Sequence, residues 1–206
     1  MKAALLDFRG TALAAIFGIA MLTFGGWEAL LLMLIFLIAS VIATKHGYEE
    51  KRELGIYEHE RSWENVLANG IVPVICAYLS PTIGIWPMIG SIAAITADKF
   101  ASELGVLSST PISLFSLKPV KRGVSGAITP FGTLMSFDGA LLIGVAVFVI
   151  YGLVDPWKIL LVGLAGFAGS LVDSIFGVFE EMGIGTKATT NAICAITGAI
   201  LGYFLF

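Results

Sequence analysis

The sequence predicts an all-α, polytopic membrane bundle of seven transmembrane helices, folded as a single domain over residues 1–206. Composition is the first reason. The chain is 57% hydrophobic and 13% charged, with a mean hydropathy of +0.93, which leaves too little polar surface to cover a soluble globule of this size. Run length is the second. The stretches 27–43, 131–152 and 157–171 are long enough, or nearly so, to cross about 30 Å of hydrocarbon at about 1.5 Å per residue. Lipid cannot satisfy open backbone groups, so such runs are helical, and none shows the strict alternation of a β-barrel strand. The third reason is placement. Charged and amide side chains inside the apolar runs gather toward one end of each, on the same side of the membrane.

The expected spans are 8–24, 27–44, 65–80, 83–105, 130–152, 157–176 and 188–206. Gly25-Gly26, Ser80-Pro81 and Asp155-Pro156 disfavour a continuing helix and mark breaks. Asp7 and Arg9 interrupt the start of the first span; if that segment lies on the surface, six spans remain. No cleavage site of the small-x-small kind follows it, so residue 1 is expected to stay. With the N-terminus inside, Lys2, Arg9, Lys45, Lys51, Arg52, Arg61, Lys99, Lys118, Lys121, Arg122 and Lys187 lie on or near the cytoplasmic side and Lys158 lies outside. Basic residues favour cytoplasmic loops, so the C-terminus is expected outside, in what reads as the plasma membrane of a prokaryote. Trp27, Trp86 and Trp157 cluster near the outer boundaries, where aromatic belts form.

Between the second and third spans, residues 45–64 mix both charge signs at helical spacing and read as a solvated helix beside the membrane. His46 and His59 fall there and read as surface residues. Arg61, Asn65 and Asn69 follow at a spacing of four, which puts a guanidinium and two carboxamides on one helical face running into the third span. Polar groups at that depth need partners or a ligand. The fourth span ends with Asp98 and Ser102 on one face and Lys99 and Glu103 on the next, the latter two at ion-pair spacing. The loop 106–129 then carries Lys118, Lys121 and Arg122 beside Gly123, Ser125 and Gly126. Cations next to glycine amides suit an anion, or anionic headgroups.

The sixth span closes on Ser170, Asp173 and Ser174, and Lys187 precedes Asn191 at the start of the seventh. Asp98, Glu103 and Asp173 thus reach one level. Three carboxylates beside a basic glycine loop suit a divalent cation and a polyphosphate, and hard oxygens without a His or Cys cluster favour Mg²⁺ over zinc. Cys76 and Cys194 lack metal-ligand spacing and read as packing residues. Gly198 and Gly202 suit close helix packing, inside the bundle or across a homodimer. A net charge of −3 argues against nucleic acid as a partner.

Arg61 with Asn65 to Gly70, Ala97-Asp98 with Ala101 to Gly105, Lys118-Pro119-Val120 with Gly123 and Gly132-Thr133, and Gly169 to Ser174 occur in that order. Together, over residues 60–206, they resemble the integral membrane family that includes plant phytyl-phosphate kinase, related in chemistry to phytol and dolichol kinases. Where that pattern usually reads Asp-Thr-Trp, this chain has Asp98-Lys99-Phe100. The resemblance implies transfer of a phosphoryl group from a nucleoside triphosphate, CTP favoured, to a phytyl or geranylgeranyl monophosphate in the bilayer. Asp98, Glu103 and Asp173 would hold Mg²⁺, Lys118, Lys121 and Arg122 would neutralise phosphate, and Asn65 and Asn69 would orient it. A cytidylyltransferase acting on a lipid phosphate needs the same parts. An ion-coupled transporter is the reading from another class, although its polar groups should lie near the midplane in repeated halves, and no repeat is evident. The P-loop pattern is absent.

Overall fold

A computed structural model describes residues 6–57, 62–108, 110–152 and 155–206. Arg61 and His59 lie outside the described residues, as does Lys2. The chain is a nearly all-helical membrane bundle: α1 (Phe8–Lys45), α2 (Tyr48–Glu53), α3 (Trp63–Ile83), α4 (Trp86–Gly105), α5 (Pro130–Ile150), α6 (Trp157–Glu181) and α7 (Lys187–Leu205). Of these, α1, α3, α5, α6 and α7 are long and apolar enough to cross a membrane.

The 38 residues of α1 would reach about 57 Å as one straight rod, nearly twice the hydrocarbon thickness. They do not run straight. Gly26 has φ 79° and ψ −177°, a backbone that only glycine adopts without strain. Beyond it the second arm folds back, so that a Cβ on Gly18 would touch Leu30 at 3.7 Å. The expected break at Gly25-Gly26 and the two expected spans are therefore these two arms. Asp7 does not interrupt the first arm; it stands outside as the N-cap and accepts a hydrogen bond from the Gly10 amide. The arm packs on α3 where Phe17 lies over Gly70.

The expected break at Ser80-Pro81 is displaced. Helix α3 runs through Pro81 and stops at Gly84, whose φ is 79°. Proline in the last turn removes only one backbone bond, whereas the Gly84 backbone, with ψ 177°, leaves helical geometry and ends the helix. Helix α6 likewise runs on to Glu181, five residues past its expected end.

Helix α4 is the axis of the bundle and is packed against all five long helices. Its buried face carries Met88, Ile89, Ile92, Ala93 and Ile95, each 0% exposed. Small residues bring α7 unusually close. A Cβ on Gly198 would stand 2.3 Å from the Gly90 carbonyl oxygen, and one on Gly202 2.3 Å from that of Trp86. The Gly198 and Gly202 face is thus occupied within the chain by α4, which removes it as a route to a homodimer. Gly198→Val is expected to lower stability by about 1–3 kcal/mol, through overpacking against backbone that cannot step aside, as thermal unfolding in detergent would register.

The helix ends sort into two poles. At one, Trp86 stacks on Phe206 with ring centroids 4.0 Å apart, and the Lys158 ammonium lies 5.1 Å from the Trp86 ring. At the other lie the ends of α1, α2, the C-terminal turns of α4 and α6, and the first turns of α5 and α7. The loop 106–129 closes this second pole and carries a short antiparallel pair, β1 (Ile112–Ser113) with β2 (Ala127–Ile128).

Candidate functional site

At the second pole lies a cleft of about 390 Å³. Helix α4 supplies its floor. Asp98, Ser102 and Glu103 line it because the helix turns one face toward α6 and α7 over its last two turns. Asp98 is 6% exposed. From α6 come Ser170, Asp173 and Ser174, and from the first turn of α7 come Lys187 and Thr190. The Asp173 carboxyl faces the Asp98 carboxyl, the Thr190 hydroxyl and the Lys187 ammonium. Its Oδ1 is buried and accepts no hydrogen bond. Two carboxyl groups this close need a proton or a cation between them, and a buried oxygen without a donor asks for the same thing.

Glu103 does not join them. Its Oε1 accepts from the Thr44 hydroxyl at 2.9 Å, and its Oε2 accepts from Lys51 Nζ at 3.0 Å. Lys51 is 1% exposed. It also donates to the carbonyls of Ala43 at 2.9 Å and Thr44 at 3.1 Å, in the last turn of α1, where no backbone N–H follows to satisfy them. One ammonium therefore ties α1, α2 and α4 together. Two expectations change here. In the stretch 45–64 the short helix α2 exposes Glu49, Glu50, Arg52 and Glu53, as expected of a solvated helix, but drives Lys51 into the protein. And the close ion pair of Glu103 is made to Lys51, while the Lys99 ammonium one turn away on its own helix also acts on it. The three-carboxylate metal set is corrected with it: among the described residues no three His, Cys, Asp or Glu side chains converge. What remains is the pair Asp98 and Asp173.

The glycine loop roofs the cleft. Gly123, Ser125 and Gly126 line it, but Lys118, Lys121 and Arg122 do not. Lys118 and Lys121 are exposed, and Arg122 donates to Glu50 at 2.6 Å, which pulls it toward α2. Ser125 is fastened to the end of α6, its amide donating to Glu181 at 2.8 Å and its hydroxyl to Glu180 at 3.0 Å. Gly126 takes φ 70° directly against the backbone of Val178, where a Cβ would come within 2.6 Å of the amide nitrogen.

Asn65 and Asn69 do not reach the cleft either. With Lys99 they border a smaller, apolar cavity of about 90 Å³ between α1, α3 and α4. The Asn69 amide donates to Asn65 Oδ1 at 2.8 Å, so the carboxamides satisfy each other in part. Asn191 is 2% exposed and lies behind Thr190, outside the lining. The two faces of α4 thus serve two cavities, a division that helical spacing on separate helices does not reveal.

The cleft walls are acidic. Asp98, Glu103, Asp173, Glu180 and Glu181 line it, against Lys51 and Lys187. Lys51 is committed to Glu103. At an effective dielectric of about 20, each uncompensated pair of like charges at about 4 Å costs about 4 kcal/mol. A polyphosphate would therefore need divalent cations to enter. Asp98, Asp173 with its open Oδ1, and the hydroxyls of Ser102, Ser170 and Ser174 are hard oxygen donors that fit Mg²⁺ together with water.

Sequence reading missed Lys51, Thr190 and Ser136 as residues of this site and named Thr133 only within a motif. For the α5 residues a signal existed: Thr129, Thr133 and Ser136 share one face at the start of a mostly apolar helix.

Residues 1–198 match the family described as Integral membrane protein DUF92. The chain belongs to that family. An uncharacterized membrane protein of Methanocaldococcus jannaschii is 40% identical over 211 residues, covering 100% of this chain and 87% of the relative. Protein PGR of Arabidopsis thaliana is 31% identical over 204 residues, covering 83% of this chain and 68% of the relative. An uncharacterized membrane protein of Synechocystis is 29% identical over 164 residues, 74% of this chain and 63% of the relative. No solved structure matches. Family membership agrees with the bundle in making this an integral, multi-pass membrane protein.

Proposed function

We propose that the protein is a Mg²⁺-dependent kinase that transfers a phosphoryl group from a nucleoside triphosphate, CTP favoured, to an isoprenyl monophosphate. The observation that carries the reading is the facing pair Asp98 and Asp173, with the orphaned Asp173 oxygen, in an acidic cleft at one pole of a membrane bundle. The basic residues gather at the same pole, so the reading places the cleft on the cytoplasmic side, in the plasma membrane of a prokaryote, where nucleotide is available.

Bound there, Mg²⁺ would neutralise the donor phosphates and the charge that builds between them during transfer. Asp98 and Asp173 would hold it, and Ser102, Ser170 and Ser174 would orient its water. Lys187, at the mouth, adds a positive charge to the phosphate side. The loop from Gly123 to Gly126, fastened by Ser125, keeps bulk water from the donor. An oxygen of the acceptor monophosphate attacks the terminal phosphorus of the donor, the bond to the bridging oxygen breaks, and the nucleoside diphosphate leaves. The acceptor is already ionised, so this chemistry needs no general base.

The test is to incubate purified protein in detergent with Mg²⁺, labelled CTP or ATP and geranylgeranyl monophosphate, and to resolve the products. Isoprenyl diphosphate with nucleoside diphosphate is the expected result. A CDP-lipid with pyrophosphate would replace the reading by a cytidylyltransferase, and absence of turnover with every triphosphate would overturn it in favour of transport.

A further inference from the structure

The cleft does not end at its polar floor. On α5 and α6 the lining continues toward the hydrocarbon through Thr133, Ser136, Phe167 and Leu171. The reason lies in how these two helices pack. Toward the opposite pole glycines bring them together: a Cβ on Gly144 would meet the Ile159 carbonyl oxygen at 2.7 Å, one on Gly163 the Leu141 side chain at 2.6 Å, and one on Gly166 the Ala140 Cβ at 2.7 Å. The series ends at Phe137 and Phe167, which meet edge to face with centroids 5.9 Å apart. Past that pair Thr133 and Ser136 on α5 and Ser170, Leu171 and Ser174 on α6 border the cleft. The helices form a fork, closed by an aromatic pair and open toward the polar pole.

Two properties of the fork point to an occupant. Phe167, Leu171 and Ser174 lie on one face of α6, apolar at the closed end and polar at the open end, and Leu171 is 36% exposed. Leu171 stands ten residues before Glu181, about 15 Å along the helix axis, a depth at which the surroundings are lipid. Opposite, Ser136 is 2% exposed, lines the cleft, and its hydroxyl has no hydrogen-bond partner. A buried hydroxyl left open beside an apolar exit is suited to the boundary between a phosphate and a hydrocarbon chain.

We infer that the gap between α5 and α6 is the lateral port of a lipid monophosphate, whose chain leaves the cleft over Phe167 and Leu171 while the Ser136 hydroxyl donates to its head. The inference deepens the proposed kinase reading and rests on it for the identity of the acceptor. The port would let the substrate keep its chain in the bilayer throughout the reaction, so no cavity the length of an isoprenoid is required.

The probe is a prenyl monophosphate carrying a terminal diazirine, photolysed with the full-length protein in lipid nanodiscs, followed by mapping of the labelled peptides. Label on the segments 131–137 and 164–174, competed by unlabelled prenyl monophosphate and not by the prenyl alcohol, is the expected result. Label spread over outward residues of other helices, such as Ile196 and Ile200, without competition would overturn the port. Kinetics give an independent arm. Leu171→Trp should raise KM for the lipid about tenfold and leave KM for the nucleotide unchanged, Ser136→Ala should shift the lipid KM in the same direction, and Leu164→Trp, outside the cleft on the same helix, should change neither. Unchanged lipid KM in Leu171→Trp would sink the port while the kinase stands; competed labelling without turnover would sink the kinase while the port stands.

Discussion

Lys51→Ala is expected to lower the unfolding free energy by about 3–5 kcal/mol, the largest loss from any single replacement on the α2 segment. The ammonium is fully buried, its partner Glu103 keeps only 14% of its side-chain surface, and both carbonyls at the end of α1 depend on it. Removing it strands a buried carboxylate, which costs more than the pair itself contributes. Thermal unfolding in a mild detergent measures the effect. Combining Lys51→Met with Glu103→Gln should recover a large part of the loss, because neither group then needs a counter-charge. Equal instability of the single and double variants would show that Lys51 acts only through the carbonyls of Ala43 and Thr44.

Asp173→Asn is expected to reduce turnover by about 10² to 10³-fold while leaving the fold intact or slightly more heat-resistant in the absence of metal. The sign of the stability change follows from the geometry: without metal the two facing carboxyl groups have to hold a proton between them, whereas the neutral amide donates to Asp98 without one. Asp98→Asn should behave alike. In the native protein Mg²⁺ should raise the unfolding temperature, since a ligand that binds only the folded state stabilises it by mass action, and this increment should vanish in both variants. Activity retained with an ordinary Mg²⁺ increment would remove the pair from the mechanism. Glu103→Gln separates the roles, because Glu103 should affect stability through Lys51 far more than it affects the Mg²⁺ increment.

Much of the bundle is written in local chemistry. The break at Gly26 follows from paired glycines between two apolar runs, and the aromatic pole from Trp86 at the head of α4. The carboxylates of α4 and α6 share a level because each lies near the same end of an apolar run. The misses have a common cause. Pro81 reads as a break because its effect depends on how much helix remains beyond it, and only one turn does. Lys51 reads as solvated because its neighbours Glu49, Glu50 and Arg52 are charged; its burial depends on where α2 lands against α4, a long-range contact with no periodicity. Asn65 and Asn69 belong to a second cavity because they approach the other side of α4, and spacing within α3 says nothing of which side that is. Lys118, Lys121 and Arg122 read as a phosphate cradle from composition, whereas the loop is fixed by Ser125 on Glu180 and Glu181 and turns its basic residues away from the cleft.

The acidity of the cleft leads to the most direct test of all. Binding of CTP to the purified protein, followed by isothermal titration calorimetry at fixed ionic strength with and without Mg²⁺, reads the dependence of polyphosphate entry on a divalent cation. The expected result is saturable binding with Mg²⁺, none measurable without it, and loss of the Mg²⁺-dependent binding in Asp98→Asn and Asp173→Asn. Equal binding in EDTA, or undiminished binding in both variants, would contradict a site in which these two carboxylates receive the metal and the metal receives the phosphates.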